Sequence, residues 1–270
     1  MYNILKLEIK NCLNSYKFKI NFFILSLISI FTFILTCNYY YGYNSIFVPP
    51  AYKTGFISNS AIKYGFFLFL TIMPLLVCFI YSDSYEFELK KKINTAIITR
   101  CGRKRYLLSK ILTVSIVAFF SVFIIMSVTE LLSFFTFANK GSFTGGSMFY
   151  DLKSSYNANI FLANIKISNP YLFNFILILI NSLYAAILAA FTFSLTIILK
   201  FRSVFIIIGT TIFNLALELI LARLNLYNNF SIQMYQQGGP GTLSGFFILI
   251  SIWILTITII FILGLKKDTI

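Results

Sequence analysis

The chain has 270 residues, 22 Lys+Arg against 8 Asp+Glu and no histidine, for a formal net charge of +14. It is 59% hydrophobic and only 11% charged, whereas soluble domains run near ~45–50% apolar and ~25% charged. A soluble fold of this length cannot hide that much apolar surface. A nucleic-acid binder needs its positive charge spread over a water-exposed face; here the charge is scarce and bunched between long apolar runs. The composition therefore predicts an all-α integral membrane protein.

Without histidine there is no imidazole to act as general base, proton shuttle or metal ligand. No G-x-x-x-x-G-K-[ST] phosphate cradle occurs either. The expectation is a non-catalytic chain that binds no cofactor or metal itself. Cys12, Cys37, Cys78 and Cys101 have neither zinc-site nor disulfide-framework spacing and read as free thiols.

In chain order, residues 1–19 predict an interfacial helix. Tyr2, Leu5, Ile9, Leu13 and Tyr16 recur at three- or four-residue steps, with Lys6, Lys10, Asn14 and Lys17 on the other side. Six apolar runs follow, at 22–41, 65–82, 111–137, 171–199, 203–222 and 244–264. Each is long enough, or nearly so, to cross ~30 Å of hydrocarbon, which takes about 20 helical residues. The first run is too long for the apolar part of a signal peptide and reads as a retained anchor. Together the runs make one transmembrane domain over 1–270.

With the N-terminus inside, sixteen of the 22 basic residues fall in inner segments, so the expected topology is N-in, C-in. Eight of the sixteen lie in one inner segment, 83–110. The outer loops, of which 138–170 is the longest, are rich in Asn, Ser, Gly and Tyr. The two three-span halves show no repeat, which counts against a transporter built from internal repeats.

The 83–110 loop carries the most information. Glu86/Lys90 and Glu88/Lys92 are i,i+4 pairs in the favourable order, and Asp83 or Ser84 can cap a helix. Tyr85, Leu89, Ile93 and Ile97 give that helix an apolar stripe, and Gly102 is placed to end it. A short amphipathic helix at the inner face suits docking on a soluble partner; the alternative is a solvated charged loop that only sets topology.

This stretch resembles the permeases of ABC-2-type transporters. The resemblance rests on Asp83, Glu86 and Glu88 after span two, then Thr99-Arg100-Cys101-Gly102-Arg103, then Tyr106-Leu107-Leu108-Ser109-Lys110 leading into span three. The Cys101-Gly102 step departs from the Pro, Ile or Ser found in many relatives. The resemblance covers nearly the whole chain as architecture and about thirty residues as motif. It implies a plasma-membrane permease that pairs with a separate ATP-binding subunit and with a second copy or a sister permease. Residues Asp83, Glu86, Glu88, Leu89, Ile93, Arg100 and Arg103 would then form the coupling loop on which the ATPase docks, ATP being bound by that partner. By analogy the exported substrate would be a peptide, an antimicrobial or a drug.

Two acids lie inside spans. Glu130 and Glu218 fall towards the outer helix ends, and Asn214 shares a helix face with Glu218. They are candidates for a polar translocation path; the structural alternative is interhelical hydrogen bonding, including a Glu218–Arg223 pair. If they carry ions, the chain is an ion-coupled secondary transporter; a non-transporting sensor or assembly protein is a further alternative. Ala185/Ala189 and Ala186/Ala190 permit close helix approach, Tyr39–Tyr43 supplies an aromatic belt, and Gln236–Gly241 reads as a turn and not as a phosphate loop.

Overall fold

The computed structural model describes residues 2–44, 47–59, 61–91, 93–139, 159–199 and 201–266, the side chains of 2 and 93–96 excepted. Most of the expected 138–170 loop, and Lys92, Lys200 and Lys267, lie outside these residues.

The described residues form thirteen helices. They are α1 (Tyr2–Asn14), α2 (Tyr16–Tyr40), α3 (Ala51–Thr54), α4 (Lys63–Phe79), α5 (Ser84–Lys90), α6 (Ile93–Cys101), α7 (Arg103–Thr136), α8 (Ala163–Ser168), α9 (Pro170–Ile198), α10 (Ser203–Arg223), α11 (Tyr227–Phe230), α12 (Ile232–Gln237) and α13 (Leu243–Lys266). The one bridge between extended segments among these residues, Ile160 with Pro240, is isolated. Six helices are long and apolar enough to cross a membrane: α2, α4 with its continuation, α7, α9, α10 and α13. The chain is a multi-pass, all-α membrane protein.

Local chemistry explains the helix ends. The Phe18 amide donates to Ser15 Oγ at 3.2 Å, so Ser15 both stops α1 and caps α2. At α9 the Leu172 amide donates to Asn169 Oδ1 at 3.1 Å, and Pro170 occupies the first helical position, where a missing N–H costs nothing.

Helix α9 is the hub, packing on α7 most extensively and also on α13 and α4. The α7 face that meets the bundle is written at four-residue steps: Ser109, Thr113, Val117, Ser121, Ile125, Thr129 and Ser133 are all buried. Small side chains at that spacing let backbones approach, as do Ala185 and Ala189 of α9, both fully buried. The hydroxyls need no partner on another helix. Thr113 Oγ1 donates to the Ser109 carbonyl at 2.9 Å and Ser133 Oγ to the Thr129 carbonyl at 3.1 Å. Where water is excluded, this back-bonding satisfies groups that would each cost several kcal/mol unpaired. On the α2–α4 contact, Gly65 lies so close to Thr32 that a Cβ there would overlap its side chain.

The structure adds detail to three elements. On α1, Ile9 of the apolar stripe packs against the core. Glu8 and Cys12 are its most buried residues, because α1 docks along α7 through a buried ion pair; Leu13, and Tyr16 at the start of α2, are exposed. The helix expected after residue 83 is two helices, broken at Lys91. The helix that contains span three starts at Arg103, ahead of the apolar run at 111; Gly102, at φ +79°, ends α6 and starts α7.

Candidate functional site

One end of the bundle, the basic end, gathers α1, the α5–α6 segment and the first turns of α7 and α10. There the three carboxylates of 83–88 are each spent on a different span. Asp83 pairs with Lys17 at the start of α2. Glu86 accepts the Ser203 amide at 2.6 Å and the Ser203 hydroxyl, so it caps α10, where a negative charge also suits the helix dipole. Glu86 also keeps its expected i,i+4 pair with Lys90.

Glu88 turns inward. Its Oε1 takes the Lys110 ammonium at 2.7 Å, and Oε2 accepts the Tyr106 hydroxyl. The same ammonium reaches Glu8 Oε2 at 3.2 Å and Ser84 Oγ at 3.4 Å, and Tyr81 donates to Glu8 at 2.8 Å. Lys110 is fully buried, with Tyr81 and Tyr106 rings 5.1 and 5.3 Å from its nitrogen. Two carboxylates around one ammonium, with two phenols donating to the carboxylates, is a closed network in which each charge has a partner. Finally, Arg103 donates to the Gly264 carbonyl at 3.0 Å, a cation at the end of α13.

The α5–α6 segment and the turn that follows it are thus pinned to α2, α7, α10 and α13. Of the seven residues expected to form a docking surface, Asp83, Glu86, Glu88 and Arg103 are engaged inside the chain. Leu89 is half-buried against the core, the Ile93 side chain lies outside the described residues, and Arg100 is exposed. The outward face carries residues that the expected docking set leaves out. Phe87 is 55% exposed, with the Lys91 ammonium 4.2 Å from its ring centre, and Lys90 of α5 and Lys104 and Arg105 of α7 are exposed as well. The available signal was an aromatic residue on the polar side of an amphipathic helix. Glu8 was missed because it reads as one acid in a basic flank.

The polar candidates inside the spans do not converge. Glu130 accepts the Asn174 amide of α9 at 2.6 Å and packs against Gly55. Asn214 accepts the Tyr184 hydroxyl, tying α10 to α9. Glu218 accepts from the Ser231 hydroxyl and from the Ile232 and Gln233 amides that open α12. Arg223, expected as its partner, is exposed. These arrangements are interhelical ties. In the Gln236–Gly241 turn the Gly238, Gly239 and Gly241 amides go to the Tyr235, Met234 and Asn159 carbonyls, which leaves none of the three aimed at a phosphate.

Compared with protein-family models, curated proteins and solved structures, the chain matches none.

Proposed function

We propose that the chain is the membrane subunit of an ABC exporter of the ABC-2 type. In this reading the basic end faces the cytoplasm, and the α5–α6 segment receives movement from an ATP-binding partner. One observation carries the proposal: a short segment with an exposed aromatic and basic face is fixed by buried or capped carboxylates to the ends of the spans. A push on such a segment displaces α2, α7 and α10 together, because each contact is a directional hydrogen bond or ion pair and not a sliding apolar surface. Energy then arrives through contact, in keeping with a chain that carries no phosphate cradle. A second permease copy or sister subunit would pack on a bundle face that this chain leaves open, as along α13, of whose most apolar window only 11% is buried. The exported substrate, by analogy a peptide, an antimicrobial or a drug, would cross between the paired subunits.

The ion-coupled alternative needs Glu130 and Glu218 on one path, and their separate ties to Asn174 and to α12 give it less support. The test is affinity purification of the tagged chain in a mild detergent. An ATP-binding subunit should co-purify with the wild type and be lost with Phe87→Asp/Lys91→Glu, at unchanged thermal stability. Recovery of the chain with no ATP-binding protein would overturn the reading.

A further inference from the structure

At the opposite end of the bundle a cleft of about 790 Å³ opens between the starts of α4 and α9. Three ammonium-bearing side chains line it: Lys53 of α3, Lys63 of α4 and Lys166 of α8. Among the described lining residues there is no carboxylate; Glu130 stands behind Asn174 and is held by its amide. The polar groups at the back are already occupied with one another. Ser58 donates to Asn174 Oδ1 at 2.8 Å, Asn174 also donates to the Tyr52 carbonyl at 3.0 Å, and the Asn59 amide donates to Thr36 Oγ1 at 2.6 Å. The rest of the wall is apolar and aromatic, with Tyr64 (86% exposed) and Phe67 (58% exposed) at its open side.

Lysines gathered in a partly enclosed, low-dielectric cleft focus a positive potential. Burial lowers the Lys53 and Lys166 pKa values, and the Lys166 charge lowers that of Lys53 further. A soluble anion alone would leave the aromatic wall unused. An apolar body attached to the anion would cover Tyr64, Phe66 and Phe67, and binding pockets typically combine an apolar lining with a few polar fixing groups of this kind.

We propose that this cleft binds an anionic amphiphile, its phosphate-type headgroup among Lys53, Lys63 and Lys166 and its apolar body along Tyr64, Phe66 and Phe67. The proposal stands on the cleft alone and is independent of the ATPase-docking reading. Its test therefore uses the purified full chain without a partner.

The experiment is native mass spectrometry of the chain in a neutral maltoside detergent. It is titrated with dioleoylphosphatidic acid, with dioleoylphosphatidylcholine, which has the same tails and a zwitterionic head, and with inorganic phosphate. The expected result is retention of one phosphatidic acid with an affinity at least tenfold above that for either of the others. The Lys53→Gln/Lys63→Gln/Lys166→Gln variant should lose that preference, and Lys90→Gln/Lys104→Gln/Arg105→Gln at the basic end should keep it. Thermal unfolding of both variants verifies that they are folded; if the cleft triple does not fold, the single Lys63→Gln variant, at an exposed position, is read for a loss of threefold or more. Equal retention of phosphatidylcholine would overturn the role of charge, and equal binding of inorganic phosphate would overturn the amphiphile. Loss only in the basic-end variant would place the binding elsewhere and overturn the site.

Discussion

Glu8 and Lys110 stand 102 residues apart in the chain and meet at 3.2 Å with side chains 3% and 0% exposed. With Glu88 they make a three-charge cluster that locks α1 and α5 onto α7. Removing the lysine leaves the buried Glu8 and the partly buried Glu88 without a counter-charge, and breaking such a buried pair costs about 3–5 kcal/mol. Lys110→Met should therefore give a large fall in Tm in detergent. Glu8→Gln/Glu88→Gln/Lys110→Met should recover most of it, since no uncompensated charge remains. A triple variant no more stable than Lys110→Met would show that the cluster's charges are not what holds α1.

The Glu86–Ser203 contact fixes α5 to α10. Glu86→Gln weakens a charge-assisted pair of hydrogen bonds, worth about 1.5–3 kcal/mol each. Amide exchange over Ser84–Lys90 and at Ser203 should rise roughly tenfold, the factor that about 1.4 kcal/mol gives. Lys90→Ala, which removes an exposed partner, should change exchange little. Hydrogen exchange read by mass spectrometry checks both.

Phe87 and Leu89 are two residues apart, but Phe87 is exposed and Leu89 packs against the core. Phe87→Asp should abolish association with an ATP-binding subunit while leaving Tm within about a degree or two, as exposed positions generally do. Leu89→Asp should lower Tm, since it puts a charge against the core. Pull-down and thermal unfolding on the same preparations separate the two effects.

Two glycines differ in why they are needed. Gly102 has a positive φ and open space where a Cβ would stand, so Gly102→Ala should cost about 1 kcal/mol through backbone strain alone. Gly65 has a permitted backbone but no room beside Thr32, so Gly65→Ala should cost about 1–3 kcal/mol by overpacking. Thr32→Ala should relieve the second substitution and leave the first unchanged, as double-variant melting curves will show.

Lys53 and Lys166 supply a pH dependence. Their folded pKa values lie below the ordinary lysine value of 10.5 because burial disfavours the charged form. Between the folded value and 10.5 the unfolded chain holds more protons, so this contribution to stability rises with pH across that window. Lys53→Gln/Lys166→Gln should flatten the rise in Tm between neutral pH and about pH 10. An unchanged slope would count against the two groups as its source.

Much was legible in the residue order. Hydropathy periods and the need to satisfy every backbone amide in an apolar medium fix six helices at nearly the positions found, since only helix bonds close within one segment. Gly102 as a helix end and Glu86/Lys90 as a pair were also readable, being contacts within one or two turns. What the sequence could not show is which distant charge each acid would meet. Local spacing offers Glu88 a partner four residues on, Lys92, which lies outside the described residues, and gives no sign of Lys110 across the bundle. Burial brings that second pair about, because a lysine that lands at a helix–helix contact must be neutralised by whatever carboxylates share its space. The same holds for the basic cleft: Lys53, Lys63 and Lys166 are scattered single charges in the chain, and only the packing of α3, α4, α8 and α9 brings them around one volume.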